Sequence, residues 1–195
     1  MYLMDNTSEP TIKRIHENHG ITISKDVTEN NKYIMSLSIE NNYINLTDLI
    51  NFNLAQIIYE VNKDIFENIN IIRISENEAV VCILIKHFFE DIFSQQYICL
   101  NMKLFHDATS IMFSAKTNSE FEMPFNIPKN AELLDIDTIL INCAIKNTHK
   151  VEFKNTIKYT STLDIPEYIE KLAAKIINKI FMRTKQFIEL YSYNT

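Results

Sequence analysis

The sequence of 195 residues contains a single glycine, Gly20, only four prolines and no tryptophan. The scarcity of glycine is the most restrictive of these features. Walker-type phosphate loops, dinucleotide-binding fingerprints and nucleophile elbows each need glycine at backbone positions that other residues tolerate poorly. The sequence therefore excludes the familiar classes of nucleotide-dependent enzymes.

Long apolar runs and an excess of positive charge are also missing. No stretch approaches the roughly 18 consecutive apolar residues of a membrane span, and residues 1–20 lack the apolar segment of a signal peptide. Nineteen basic residues against 25 acidic ones give a net charge of −6, which repels DNA and anionic membranes. We therefore expect a soluble, cytoplasmic protein that does not bind DNA.

Cysteine is scarce and shows no pairing motif. Cys82, Cys99 and Cys143 lie far apart and form no C-x-x-C pair. An odd number of widely spaced cysteines fits buried, reduced thiols better than a disulfide framework. This pattern favours a reducing compartment.

The segment 1–20 is predicted to be an N-terminal arm that is partly disordered, with residues 21–195 forming a single α+β domain. Within the arm, His16 and His19 have H-x-x-H spacing, which puts two metal-ligand types on one face of a helical turn. Two ligands alone seldom hold a metal, and no cysteine or further histidine is nearby in the sequence. We therefore predict surface histidines, with no metal and no cofactor.

Alternation of polar and apolar residues predicts β-strands over much of the chain. The segment 21–39 is predicted to form a hairpin, and Thr47 to cap a helix that ends near Asn68. Further strands are predicted at residues 69–75, 79–88, 96–106, 109–117, 134–146 and 150–160. Because short polar turns connect most of these strands, we expect an antiparallel meander.

The strongest helical pattern lies at the end of the sequence, from Asp164 to about Tyr191. Asp164 and Glu167 have capping-box spacing, and Pro166 falls in the first turn, where its missing N–H costs little. An apolar face repeats along this segment, with its centre at Ile169, Leu172, Ile176, Ile180 and Phe187. A face of this length must pack on another apolar surface.

This order of elements, a β segment, a helix, antiparallel strands and a long amphipathic C-terminal helix, resembles the helix-grip fold. That superfamily includes the START lipid-transfer domains and the plant pathogenesis-related, Bet v 1-like proteins. The resemblance covers roughly residues 21–191 and implies an α+β fold in which a curved antiparallel sheet of about six to seven strands packs on the last helix. It also implies a cavity for an apolar ligand. The alternative is an α+β sheet covered by helices on one face and solidly packed.

The inward positions of the predicted sheet carry aromatic residues that face isoleucines of the last helix. If the interior is hollow, these side chains line an apolar pocket with tyrosine hydroxyls as its polar groups. If the interior is filled, they are core. The candidate pocket residues are Tyr97, Phe105, Phe113, Phe153, Tyr159, Ile176 and Ile180.

Positive charges repeat every four residues on the opposite side of the last helix. The stripe, here called the basic stripe, consists of Lys171, Lys175, Lys179, Arg183 and Lys185. Such a stripe favours contact with the phosphates of lipid headgroups or RNA. A solvated helix face carries the same pattern.

Two aromatic clusters are candidates for docking a protein partner or a membrane surface. They are Phe88, Phe89, Ile92 and Phe93, and the group Phe121, Met123 and Phe125 in a segment whose prolines exclude a central strand. If they are exposed, they form a docking patch, and if they fold back, they close one end of the sheet.

The sequence supports two functions from different classes. The first is a non-catalytic module that holds an apolar or lipid-like ligand between the sheet and the last helix. The alternative is an interaction subunit of a larger assembly, such as a ribosome or another ribonucleoprotein, that uses the basic stripe and the N-terminal arm. No nucleophile with a base at diagnostic spacing is recognisable, so we predict that the protein is not an enzyme.

Overall fold

The architecture is taken from a computed structural model that describes residues 12–29, 31–88, 94–161 and 165–192. These residues contain ten strands and three helices. In chain order they are β1 (Ile12–Asn18), β2 (Ile21–Asp26), β3 (Lys32–Glu40), α1 (Leu46–Leu49), α2 (Asn53–Glu60), β4 (Phe66–Arg73), β5 (Glu78–Ile85), β6 (Gln96–His106), β7 (Ser110–Thr117), β8 (Glu132–Leu133), β9 (Ile136–Asn147), β10 (Lys150–Tyr159) and α3 (Glu167–Leu190).

The strands form one curved sheet in the order β1-β2-β3-β10-β9-β7-β6-β5-β4, and β8 adds to β6 in parallel. All neighbours along the main path are antiparallel. The predicted α+β class, with a curved antiparallel sheet packed on a C-terminal helix, is confirmed. The sheet has about ten strands rather than six to seven, and β1 and the short β8 are two strands that the sequence pattern did not predict.

The second half of the predicted arm is a strand. Residues 12–18 pair with β2, and the tight turn between the two strands places His19 and Gly20 at φ +52° and +72°. Glycine occupies this left-handed region without steric cost. His16 therefore lies in a strand, and the helical turn that would join it to His19 is absent from this segment. Residues 1–11 of the predicted arm lie outside the described residues.

The single helix predicted from Thr47 to Asn68 is wrong. The structure has α1 and α2 instead, with Asn45 as the N-cap whose side chain accepts a hydrogen bond from the Thr47 amide. Between the two helices, Ile50 and Phe52 turn into the core, where they are 3% and 2% exposed. In a continuous helix, side chains two residues apart do not share a face. Both Ile50 and Phe52 can therefore enter the core only if the helix is interrupted between α1 and α2.

The C-terminal helix α3 packs on β1, β2, β3 and α2. Its buried residues are Ile169, Glu170, Ala174, Asn178, Ile180, Thr184 and Ile188. The face turned to the sheet therefore includes polar and small residues, and Phe187, which was predicted to lie on it, is 44% exposed. The predicted cap Asp164 lies outside the described residues. Within the part of the chain that is described, no helix is long and apolar enough to cross a membrane.

Buried asparagines fix the position of α3. The Asn41 side-chain amide donates to the carbonyl oxygens of Ile188 and Tyr191 at 2.6 and 2.7 Å, which caps the C-terminal end of the helix. The Asn178 amide donates to the Asn18 carbonyl oxygen at 3.2 Å. These bonds tie the helix to the sheet at two levels.

The Asn41 cap yields a stability prediction. Asn41→Ala removes the side-chain donor to the Ile188 and Tyr191 carbonyl oxygens at the end of α3, and we expect a loss of about 1–3 kcal/mol in the free energy of unfolding. Urea denaturation followed by circular dichroism measures this loss. Asn42→Ala removes the same side chain from the exposed neighbouring position and serves as the matched control. Equal effects of the two substitutions would contradict the capping role.

The buried thiols yield a second prediction. Cys82, Cys99 and Cys143 are all buried and unbridged, and burial raises the pKa of Cys82 and of Cys143 to about 12. Because the thiolate is the reactive form, we expect a thiol-specific disulfide reagent at neutral pH to modify the native protein only slowly. In denaturant all three thiols should react at once. Rapid modification of the native protein would show that the sheet opens around them.

Candidate functional site

A cavity of ≈ 190 Å³ lies between α3 and the strands β2, β3 and β10. We call it the α3 cavity. Most of its wall is apolar. It consists of apolar side chains from the strands on one side and of Ala173, Ala174, Ile177 and Phe181 from the helix on the other. The short side chains of Ala173 and Ala174 leave space that a larger residue would fill. Apolar wall residues include Ile23, Met35, Ile157, Ala174, Ile177 and Phe181.

The interior is filled near the C-terminal end of α3. A second hollow, near Phe153 and Ile188, has a volume of only ≈ 10 Å³, and a single water needs about 10–15 Å³. Further along the sheet, Phe52 packs edge-on against Phe113 with ring centroids 6.1 Å apart. The interior is thus hollow beneath part of α3 and packed around Phe52 and Phe113.

Four polar side chains interrupt the apolar wall of the α3 cavity: Tyr33, Asn155, Tyr159 and Glu170. The two tyrosines lie on the adjacent strands β3 and β10, with ring centroids 5.9 Å apart and planes at 80°. Burial raises the pKa of Tyr159, and burial together with the neighbouring Glu170 carboxylate raises that of Tyr33. Both phenols are therefore protonated at neutral pH.

Glu170 is a charged group on the buried side of α3. Its Oε1 atom accepts hydrogen bonds from Lys25 Nζ at 2.9 Å and from the Tyr33 hydroxyl at 2.7 Å. Burial acts to raise the pKa of Glu170, but the bonds from Lys25 and Tyr33 outweigh it and the pKa is lowered. The carboxylate is thus ionised at neutral pH, although the residue is only 8% exposed.

Asn155 is a buried amide in the middle of β10. It lies opposite Met35 on β3 and Ile141 on β9, and it is 6% exposed. Its Oδ1 atom has no hydrogen-bond partner among the described residues. Burying such an atom unpaired costs about 1–3 kcal/mol, and most buried polar groups in native proteins are paired. An asparagine at this position of the strand therefore lowers the stability of the folded protein.

The seven residues predicted to line a pocket separate in the structure. Tyr159 lines the α3 cavity. Phe113, Phe153 and Ile180 are buried, and Ile176 is half-buried without lining the cavity. The next residue of the helix, Ile177, occupies the wall instead.

The prediction that Tyr97 and Phe105 face inward is wrong. Leu104 of β6 lies opposite Phe113 of β7 and is 5% exposed, whereas the adjacent Phe105 is 47% exposed. Tyr97 lies an even number of residues from Phe105 and so shares its face of the strand. Leu104 and Phe105 are both apolar and point to opposite faces of the strand. The sequence therefore does not show which of the two faces the core.

Sequence reasoning missed Tyr33, Asn155 and Glu170. A signal existed for Asn155, because it follows Phe153 and precedes Ile157 at an inward position of a strictly alternating strand. No comparable signal marks Glu170, since a glutamate in the first turn of a helix is common at the surface.

The basic stripe is largely paired with acidic residues. Asp64, which follows α2, pairs with both Lys179 and Arg183, and these two partners lower its pKa to about 2. Lys171 pairs with Glu167 at 3.2 Å and Lys185 with Glu189 at 2.9 Å. These ion pairs reduce the charge that the stripe presents to a phosphate. Its role in an assembly with protein or RNA stays a prediction.

The remaining candidate groups lie away from the α3 cavity. Phe121, Met123 and Phe125 fold back, but onto the outer face of the sheet against Val80, Cys82 and Cys99 rather than onto its end. Phe88 is 43% exposed, and the rest of its cluster, Phe89, Ile92 and Phe93, lies outside the described residues. Over the described ranges there is no group of three or more side chains that could hold a metal ion.

Solved structures with the same architecture include StAR-related lipid transfer domains. Human StAR-related lipid transfer protein 5 matches with a TM-score of 0.64 at 12% identity, over 94% of this chain and 88% of that chain. The human StarD13 (DLC2) lipid transfer and protein localization domain matches with a TM-score of 0.67 at 6% identity, over 94% and 91%. A STAR-related lipid transfer protein from Xanthomonas axonopodis matches with 0.62 at 6%, over 91% and 98%.

Sequence comparison adds nothing to this likeness. No protein-family model matches the chain, and no curated protein matches it. At these identities the structural matches establish the fold alone. The order of strands, the curved sheet and the long terminal helix together show that the chain has the helix-grip fold of the StAR-related lipid transfer (START) domains.

Proposed function

We propose that the protein is a non-catalytic binding module that holds an apolar ligand in the α3 cavity. The observation that carries this proposal is the cavity itself, a largely apolar space of ≈ 190 Å³ under the terminal helix. Ligand sites are typically concave and apolar, with a few convergent polar groups. The names of the structural neighbours, which are lipid transfer proteins, support the same class of ligand.

The volume limits the ligand that this form of the protein accepts. Drug-sized ligands occupy about 300–1,000 Å³, whereas an engineered cavity of about 150 Å³ binds benzene. At ≈ 190 Å³, the α3 cavity accommodates a molecule slightly larger than benzene. A longer lipid chain requires α3 to move away from the strands or the chain to extend beyond the cavity.

The titratable groups in the cavity wall support binding rather than catalysis. General acid–base catalysis is most effective when the catalytic pKa lies near the working pH. The pKa values of Tyr33 and Tyr159 are raised and that of Glu170 is lowered, so all three move away from neutrality. The three cysteines do not line the cavity.

Toluene is a probe of suitable size for testing the proposal. We expect saturating toluene to raise the melting temperature of the protein, because a ligand that binds only the folded state stabilises it. Ala174→Leu places a larger side chain in the cavity wall and should abolish this rise. Ala173→Leu is a second filling variant in case the first one does not fold. Differential scanning calorimetry measures both effects.

Ala55→Leu is the matched control, since it makes the same change in α2, and Ala55 does not line the cavity. This variant should respond to toluene as the unmodified protein does. The proposal fails if toluene leaves the melting temperature unchanged, or if both filling variants retain the full rise.

A further inference from the structure

Two of the three cysteines face each other on adjacent strands of the sheet. Cys82 of β5 lies directly opposite Cys99 of β6, and their Sγ atoms are 3.1 Å apart. Both belong to the cluster on the outer face of the sheet. Cys143 belongs instead to the core on the side of α3. The fold therefore brings two thiols into contact and keeps the third apart from them.

The backbone at this point has the spacing that a disulfide requires. Opposed residues of an antiparallel pair alternate between hydrogen-bonded pairs and closer, non-hydrogen-bonded pairs, whose Cα atoms are about 4.5 Å apart. The Cys99 carbonyl oxygen accepts from the Asn118 amide at 2.9 Å, so it points away from β5. The Glu78 carbonyl oxygen accepts from the Ile74 amide, and Cys82 lies an even number of residues from Glu78, so its backbone groups also point away from β6. The two cysteines therefore form a close pair.

A disulfide at this pair requires only a small movement of the two sulfur atoms. Disulfides join residues whose Cα atoms are about 4.4–6.8 Å apart, and their S–S bond is about 2.05 Å long. The Sγ atoms of Cys82 and Cys99, at 3.1 Å, are about 1 Å from that distance. The register of the two strands stays unchanged when the bond forms.

The pair lies beneath a segment without regular structure. Residues 118–131 connect β7 to β8, and Phe121, Met123 and Phe125 of this segment pack against the cluster that contains both cysteines. Cys82 and Cys99 are 0% and 1% exposed, whereas the three covering side chains are half-buried. One layer of side chains therefore separates the sulfur atoms from solvent.

This covering segment is anchored at its two ends. At one end the Asn118 amide bonds to Cys99, and at the other the Glu132 amide donates to the Gln95 carbonyl oxygen at 2.8 Å. Between these anchors, apolar side chains pack on the sheet outside the strand ladders. Irregular segments of this kind open at a lower free energy than core strands do. Because both sulfur atoms lie under the same cover, its opening exposes them together.

The hydrogen bond between the two thiols makes them chemically unequal. Burial, reinforced by the bond to Cys99, raises the pKa of Cys82 to about 12. Burial also raises the pKa of Cys99, but the bond from Cys82 acts to lower it. The thiolate is the nucleophilic form of a cysteine. The bond thus favours Cys99 as the sulfur that loses its proton first and attacks an oxidant.

We propose that Cys82 and Cys99 are a site of reversible oxidation, where hydrogen peroxide converts the two thiols to a cross-strand disulfide when the segment 118–131 lifts. The Cys99 thiolate attacks one peroxide oxygen, the O–O bond breaks, and the departing hydroxide takes up the thiol proton to form water, which leaves a sulfenic acid on Cys99. The Cys82 sulfur then attacks the Cys99 sulfur. The S–S bond forms, and the sulfenic hydroxyl leaves with the Cys82 proton as a second water.

The electrons of this reaction balance within the pair and the peroxide. Each sulfur gives up one electron, and the two peroxide oxygens receive them. A dithiol reductant reverses the reaction by thiol–disulfide exchange. The site lies on the outer face of the sheet and does not depend on the α3 cavity.

Peptide mapping of the unmodified protein tests this proposal. The folded protein is treated with hydrogen peroxide at about pH 8, close to the pKa of an exposed thiol, then alkylated in denaturant, digested with trypsin and analysed by mass spectrometry. We expect peptides 74–86 and 87–103 to be joined with the loss of two hydrogen atoms, and peptide 130–146 to carry an alkylated Cys143. Dithiothreitol should restore all three free thiols.

Two neighbouring substitutions test the role of the covering segment. Met123→Ala removes part of the apolar contact that holds the cover down, and we expect the disulfide to form at least about threefold faster. Glu122→Ala shortens the exposed neighbouring side chain and is the matched control, with the rate of the unmodified protein. If Met123→Ala does not fold, Phe125→Ala carries the same test.

Each contrary outcome is distinct. The proposed site fails if no joined peptide forms, if sulfinic or sulfonic acids appear on Cys82 or Cys99 in its place, or if Cys143 takes part in the disulfide. Equal rates for Met123→Ala and Glu122→Ala overturn the role of the segment as the cover. All of these outcomes leave the proposed function standing, because toluene binding tests the α3 cavity separately.

Discussion

The contact between α3 and the concave side of the sheet is the constraint on which the rest of the molecule depends. The helix is long, but it does not rest on the sheet along its whole length. Near its C-terminal end Ile188 packs against the strands and leaves almost no space. Toward its N-terminal half, Ala173 and Ala174 bring the helix backbone opposite Met35 and Ile157 with little side chain between them. The cavity follows from this change in side-chain size along one helix.

Polar side chains on the buried face of α3 make this geometry specific. A purely apolar helix could slide or rotate on the sheet with little change in energy, because apolar contacts are not directional. Glu170, Asn178 and the Asn41 cap accept or donate at defined atoms and therefore fix the axial position of the helix. The bonds that hold Glu170 Oε1 also keep its carboxylate charged in the cavity wall.

Much of the fold could be predicted from the sequence because the strands are amphipathic. β6 and β10 lie almost residue for residue where alternation predicts them, and α3 has the strong periodicity of a helix with one buried face. The predictions failed where tertiary contacts override local pattern. Ile50 and Phe52 break a helical repeat in order to enter the core, and β1 gains its strand conformation from pairing with β2.

The cavity wall was much harder to predict, for a physical reason. Burial favours the same apolar residues whether a space is filled or empty, so Phe113 in the core and Ile157 in the wall look alike in sequence. What distinguishes a binding site is the polar group that stability alone would not select.

Asn155 is a buried polar group of this kind, because its Oδ1 atom has no partner among the described residues. Chains with only 6% to 12% identity share this fold, so the backbone does not determine which groups line the space under the helix. The fold provides a place between sheet and helix, and the few polar side chains of each chain define the chemistry of that place. For this protein the described wall of that space contains Tyr33, Asn155, Tyr159 and Glu170, and it contains no lysine, arginine or histidine.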